Sequence, residues 1–226
     1  MPLDVSHYVH SYYQRAEPCE KNEYPRLKAW EFIWEYIWSD NEKWGDLVSQ
    51  SRLETTALHL GFYLANWGMF RGSSGLLLNS NLDFMKALAK LLFQGDGPKL
   101  FELSMSDFSP DSQHLVRNQK LLDTVVASMD SLWDGVSWTT TLKSKILLGV
   151  WGEYPALDRY YMAARRDLYP RRSHLSGVSG KGLTAIATLI DKEKLIFPSL
   201  ETEKKKLEYP TGRLFDMAMY EYGSCL

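Results

Sequence analysis

The chain has 226 residues, 45% of them hydrophobic and 13% aromatic, and a formal net charge of -2. That length and apolar content suffice for one large core, and the near-neutral balance excludes a globally polybasic protein, so any affinity for polyanions has to come from a local patch. Only Cys19 and Cys225 are present, without CxxC spacing, which argues against a disulfide framework and points to a reducing, cytoplasmic setting. The opening MPLDVSHYVHSYYQRAEP has neither the basic start nor the apolar stretch of a secretory signal, and no run of about 18 uncharged apolar residues occurs, so neither secretion nor membrane spanning is expected.

Taken in chain order, the first periodic segment runs from Pro25 to Trp38. Leu27, Trp30, Ile33, Trp34, Ile37 and Trp38 recur at three- and four-residue steps there, the pattern of one helical face. Leu53 to Phe70 is apolar nearly all round and predicts a helix at the centre of the core, stopped by the glycines of RGSSG at Gly72 and Gly75. A third helix is expected from Leu82 to Phe93 behind a capping Ser80 or Asn81. Ser109-Pro110-Asp111 reads as the start of a helix reaching Trp133.

Further along, a helix from Thr140 to Gly149, a turn through Gly152 and a helix opened by Pro155 are expected. SGVSGKG then reads as a loop, LTAIATLIDKEKL as a helix, ETEKKKLE as a solvated helical turn, and Arg213 to Tyr222 as a last short helix. No segment shows strict alternation between hairpin turns. The fold class expected is all-α: one multi-helix domain over residues 1–226, with a weak division near 95–110 that would make two helical halves around a cleft.

Charge is uneven. Residues 1–50 hold nine acids against five bases, whereas residues 143–181 hold eight bases against three acids. In the basic region Arg165, Arg166, Arg171 and Arg172 flank Tyr169, so guanidinium groups lie beside a ring able to stack on a base. The plainer reading is a helix C-terminus enriched in cations. Arg71, ending the apolar helix beside Ser73 and Ser74, needs solvent, a carboxylate or a phosphate.

In SKILLGVWGEYPALDRYY a helix, a Gly-containing turn and a second helix would bring a lysine and an aspartate towards each other. Asp158 is expected in the first turn after Pro155, where the positive end of the helix favours a carboxylate, and Lys145, if desolvated by Ile146 and Trp151, is a candidate amine nucleophile. Ser144-Lys145, the apolar run and Pro155-x-x-Asp158 resemble the segment of helix-hairpin-helix DNA glycosylases related to 8-oxoguanine glycosylases, over about residues 144–161. The resemblance implies an all-α fold, a flipped base held in a pocket, Asp158 assisting loss of the base, and Lys145 as Schiff-base nucleophile if the enzyme is bifunctional. That family's lysine sits in a hairpin of LPGVG type, where this chain has LLGVWGEYP. LHLGFYLANWGMFRGSSGLL and YPTGRLFDMAMYEYG also resemble blocks in bacterial helical proteins of no assigned activity.

SGVSGKGLT is no Walker loop, since Leu175 stands at the first glycine position and Gly182 replaces the magnesium-binding hydroxyl residue. The histidines His7, His10, His59, His114 and His174 show no metal-binding spacing, and neither a metal nor another cofactor is expected. WEFIWEYIW reads as core. Two functions follow. The first is a nucleobase N-glycosylase acting on DNA or a nucleotide, with Asp158 and Lys145 catalytic and Arg71, Arg159, Arg165, Arg166, Arg171, Arg172 and Lys181 on phosphate. The second is a non-enzymatic helical protein that binds nucleic acid or an acidic partner.

Overall fold

The computed structural model describes residues 3–16, 26–39, 44–71 and 74–226. Within them the fold is all-α: eleven α-helices, three 3₁₀ turns, and no strand beyond one isolated bridge. None of these helices is long and apolar enough to cross a membrane.

Helix α1, Val5–Ala16, lies ahead of the first periodic segment noted above. Asp4 accepts a hydrogen bond from His7 N at 3.0 Å, and Val5, Val9 and Tyr12, spaced by four and three, turn inward. Helix α2, Arg26–Trp38, buries Trp30, Ile33, Trp34 and Ile37 as expected. Pro25 and the Leu27 side chain lie outside the described residues. Against the pattern, α2 also buries Glu31 and Glu35 and leaves Phe32 exposed.

Helix α3, Leu53–Asn66, is shorter than the expected segment to Phe70. It closes as a Schellman motif: Met69 N bonds Leu64 O at 2.9 Å and Gly68 N bonds Ala65 O at 3.0 Å, around Gly68 at φ 74°. Nor is it central all round, because Leu58 and Phe62 face solvent. Helix α4, Leu76–Asn79, is a single turn behind Gly75 at φ 70°. Helix α5, Leu82–Phe93, follows Asn81, whose side chain accepts from Phe84 N.

Helix α6, Gly97–Phe101, and a 3₁₀ turn, Met105–Phe108, bury Leu100, Phe101, Met105 and Phe108 in the same core as the helices on either side. Helix α7, Leu115–Asp130, corrects the reading of Ser109 as a cap: that hydroxyl donates to Asp191 at 2.8 Å, and the chain turns twice more before the helix begins. Leu122, Val126 and Met129 point inward as expected, while Trp133 lies beyond the end of α7.

Helix α8, Thr140–Val150, is capped by Thr139 and is almost wholly buried. Helix α9, Arg159–Leu168, starts four residues later than Pro155 suggested. Residues 155–157 are not helical because their backbone is held from outside. Ala156 N donates to Asp216 at 2.8 Å, Leu157 N to the Ser144 hydroxyl at 2.9 Å, and Leu157 O accepts from Thr141 at 3.0 Å.

Helix α10, Gly180–Glu193, takes in the second half of SGVSGKG, with Ser179 as its cap. ETEKKKLE is not a helical turn. Glu201 and Glu208 form an antiparallel bridge, and the tip of this hairpin is folded onto α2, where Glu35 accepts from Lys204 N at 3.1 Å and Lys205 N at 2.8 Å. Helix α11, Thr211–Ser224, packs against α1 and α9. A Cβ on Gly223 would stand 2.0 Å from the Tyr160 carbonyl, so α9 and α11 meet backbone to backbone.

The middle of the core is charged. Arg213 has no exposed surface, yet an unpaired guanidinium in apolar surroundings is prohibitively costly. Its Nη1 donates to Asp216 Oδ2 and its Nη2 to the Tyr12 hydroxyl at 3.3 Å. Its carbon lies 5.3, 5.0 and 5.1 Å from the ring centres of Tyr12, Trp30 and Trp67. Rings from α1, α2 and the end of α3 thus converge on one cation of α11, each such contact strengthened by exclusion of water. Asp216 Oδ1 carries the link on to Ala156 N, and Glu153 accepts from Gly212 N at 3.1 Å.

Arg213→Ala is expected to cost about 3–5 kcal/mol in urea unfolding, because Asp216 would remain buried without its partner. Burial raises Glu153 from 4.5 to about 7 and Asp216 from 3.8 to about 6, against the lowering by the Gly212 amide and by Arg213 respectively. The native state therefore holds these protons more tightly than the unfolded chain, and this contribution to stability is lost as pH rises towards 7. The unfolding free energy is expected to be lower at pH 8 than at pH 5, and Glu153→Gln, which retains an acceptor for Gly212 N, to narrow that gap.

Candidate functional site

The residues singled out by sequence sit on the α8–turn–α9 corner and its continuation into α10. α8 is pinned to α3 by the Tyr63 hydroxyl, which donates to Lys145 O at 2.9 Å. On that side Lys145 is itself buried, with its ammonium donating to Trp67 O at 2.8 Å and lying 5.8 Å from the Trp67 ring centre. The carbonyl it serves belongs to the residue closing α3, one of the acceptors a helix end leaves without an intrahelical donor. A nucleophilic role would require the amine to leave this bond.

Through Thr141 and Ser144, α8 also holds the non-helical segment that ends in Asp158. Asp158 is the N-cap of α9: its Oδ1 accepts from Tyr160 N at 3.0 Å and Tyr161 N at 3.2 Å. The carboxylate is half-buried and forms no ion pair among the described residues. Asp158 lies close enough to Asp216 to help raise that group's pKa. The Lys145 contacts just given run towards α3, whereas Asp158 bonds to the backbone of its own helix.

The basic residues separate into engaged and free. Arg172 lies 3.9 Å from Glu193 and over the Tyr169 ring. Tyr169, expected to offer its face to a base, is buried and donates to Glu193 at 3.1 Å. Arg165 is half-buried, its Nε enclosed without a hydrogen bond. Arg159 is exposed, with its guanidinium carbon 4.4 Å from the Tyr160 ring centre and a bond donated to the Tyr160 hydroxyl.

Arg166, Arg171 and Lys181 are exposed, and like Arg159 they make no ion pair among the described residues. Seven residues apart, Arg159 and Arg166 share one face of α9. Nearby acids are occupied, Asp167 by the Tyr222 hydroxyl and Glu193 by Tyr169 and Arg172. Arg71 is exposed on the loop after α3, on a different element from the rest; Ser74 is buried and bonds Met69 O, and Ser73 lies outside the described residues.

The N-terminus of α10, which a phosphate loop would leave open, is closed by protein groups. Gly180 N donates to Asp123 at 2.7 Å and Gly182 N to Ser179 at 3.0 Å. Among the described residues no three His, Cys, Asp or Glu side chains converge as a metal site requires.

A feature that sequence reading missed lies elsewhere, between α2 and α3. There a groove of about 500 Å³ is lined by Phe32, Glu35, Leu58, His59 and Phe62, with the 201–208 hairpin at its rim. The only sequence signal for it is negative: α3 has no polar face, so part of its apolar surface had to face outward. Comparison with models of protein families, with curated proteins and with solved structures gives no match for this chain.

Proposed function

We propose that this chain is a non-enzymatic helical binding protein whose α9–α10 ridge contacts nucleic-acid phosphate. The observation that carries the reading is the set of four exposed cations, Arg159, Arg166, Arg171 and Lys181, left without ion pairs on consecutive elements while the neighbouring carboxylates serve other groups. Arginine offers planar donors matched to phosphate oxygens. Of the ridge's tyrosines, Tyr169 is buried and Tyr160 is covered by Arg159, so binding of backbone rather than reading of sequence is the expected behaviour.

Fluorescence anisotropy of a labelled duplex against salt tests this. The logarithm of affinity should fall with the logarithm of salt with a slope of about -2 to -4, and Arg166→Ala with Arg171→Ala should flatten it by roughly one unit per lost contact. A flat dependence in the wild type removes phosphate binding.

A second reading, base excision in the manner of helix-hairpin-helix glycosylases, is favoured by one observation: Asp158 is a half-buried carboxylate whose second oxygen has no partner among the described residues, at the N-terminus of the helix that carries Arg159 and Arg166. It would leave Lys145 as a structural residue. Duplexes bearing damaged bases should then lose the base without forming a borohydride-trapped adduct. Asp158→Asn, which retains the cap, should abolish release without loss of stability. No release from a broad panel of duplexes excludes this reading.

A further inference from the structure

The groove between α2 and α3 shares no residue with the basic ridge. Its walls are aromatic and aliphatic: Phe32 is 47%, Leu58 58% and Phe62 51% exposed, and Phe32 and Phe62 meet edge to face with ring centres 5.7 Å apart. His59 continues the wall, stacked between Phe32 at 4.6 Å and Tyr36 at 3.8 Å. Burial, reinforced by Arg52 and opposed by the Thr55 bond, lowers the His59 pKa, so this wall is uncharged at neutral pH.

The acids beneath the wall differ. Glu31 is engaged, accepting from the Tyr209 hydroxyl at 2.6 Å and pairing with Lys28 at 3.6 Å. Glu35 is 9% exposed, and both bonds it accepts, from Lys204 N and Lys205 N, fall on Oε1. Its Oε2 has no hydrogen bond and its charge no ion pair among the described residues, although Lys28 and Lys204 also line the groove. Lys28 is taken by Glu31 and Glu203, and the exposed Lys204 is solvated at the rim, where its charge is screened.

A nearly buried carboxylate without an ion pair among the described residues, in a groove with one uncharged aromatic wall, calls for a cation from outside. The volume lies within the range of roughly 300–1,000 Å³ common to small-molecule sites. We propose that this groove binds a small organic cation with a flat apolar body, its ammonium on Glu35 and its body against Phe32 and Phe62. The ring faces favour the same charge, since cations are attracted to the electron-rich surface of an aromatic ring.

The test is calorimetric titration of the full chain with tryptamine, a flat indole on a primary ammonium, beside tryptophol, in which a hydroxyl replaces the ammonium, and indole-3-propionate, which carries the opposite charge. Tryptamine is expected to bind with a dissociation constant of about 1 mM or tighter, about tenfold more tightly than tryptophol, with indole-3-propionate weakest. Glu35→Gln should remove the preference for the amine while leaving tryptophol unchanged. Phe62→Ala, at an exposed position that does not threaten folding, should weaken both compounds. Equal binding of the three compounds, no binding of tryptamine at 10-fold that concentration (about 10 mM), or a Phe62→Ala protein that binds tryptamine like the wild type overturns the proposal.

Discussion

A single buried guanidinium organises this fold. Arg213 cannot be hydrated where it sits, so it needs a counter-charge, supplied by Asp216 on its own helix, and polarizable faces, supplied by Tyr12, Trp30 and Trp67 from elements far apart in sequence. Apolar helices alone can pack in several registers at similar free energy. A cation that finds its counter-charge and ring faces together in one arrangement penalises the others, and the dense aromatic content of α2 and of the end of α3 is used in this way. The consequence extends outward through Asp216, whose second oxygen fixes Ala156 and therefore the non-helical segment before α9.

The basic ridge is oriented by that chain of contacts. Ser144 and Thr141 hold Leu157, Asp216 holds Ala156, and the chain leaves this clamp at Asp158, which turns it into α9. The arginines are thus presented by a helix whose starting point is set in the core. Asp158 has a structural task whatever its chemistry, and Lys145 ties α8 to the end of α3. The two residues that most resemble a catalytic pair are both parts of the scaffold that aims the ridge.

Local chemistry was readable where it acts locally. Asn81 before α5 and Thr139 before α8 cap their own helices, and both boundaries follow from sequence to within one residue at either end. Sequence misled where a long-range partner captured the local signal. Ser109 has the form of a cap, but its hydroxyl goes to Asp191; Pro155 has the form of a first turn, but Asp216 and Ser144 hold the residues after it; ETEKKKLE has helical propensity, but Glu35 draws its backbone amides into a hairpin. Arg213 carried a usable clue, since an Arg and an Asp three apart in the otherwise apolar GRLFDMAM can both be buried only as a pair. Nothing in the periodicity of α2 marked Glu31 and Glu35 as interior and Phe32 as exterior, because that inversion depends on the hairpin and on Tyr209.

The contact of α9 with α11 at Gly223 and the Tyr160 carbonyl divides the ridge into parts with different freedom to change. No side chain fits between the two backbones there, so the inner face of α9 is bound to its neighbour by geometry and tolerates little drift. The outer face, which carries Arg159 and Arg166, is exposed, and exchange there disturbs little beyond the contact of Arg159 with Tyr160. A descendant of this chain could alter the charge and shape it presents while inheriting the platform intact, which makes the ridge the part of the molecule where new specificity can arise at least risk to folding.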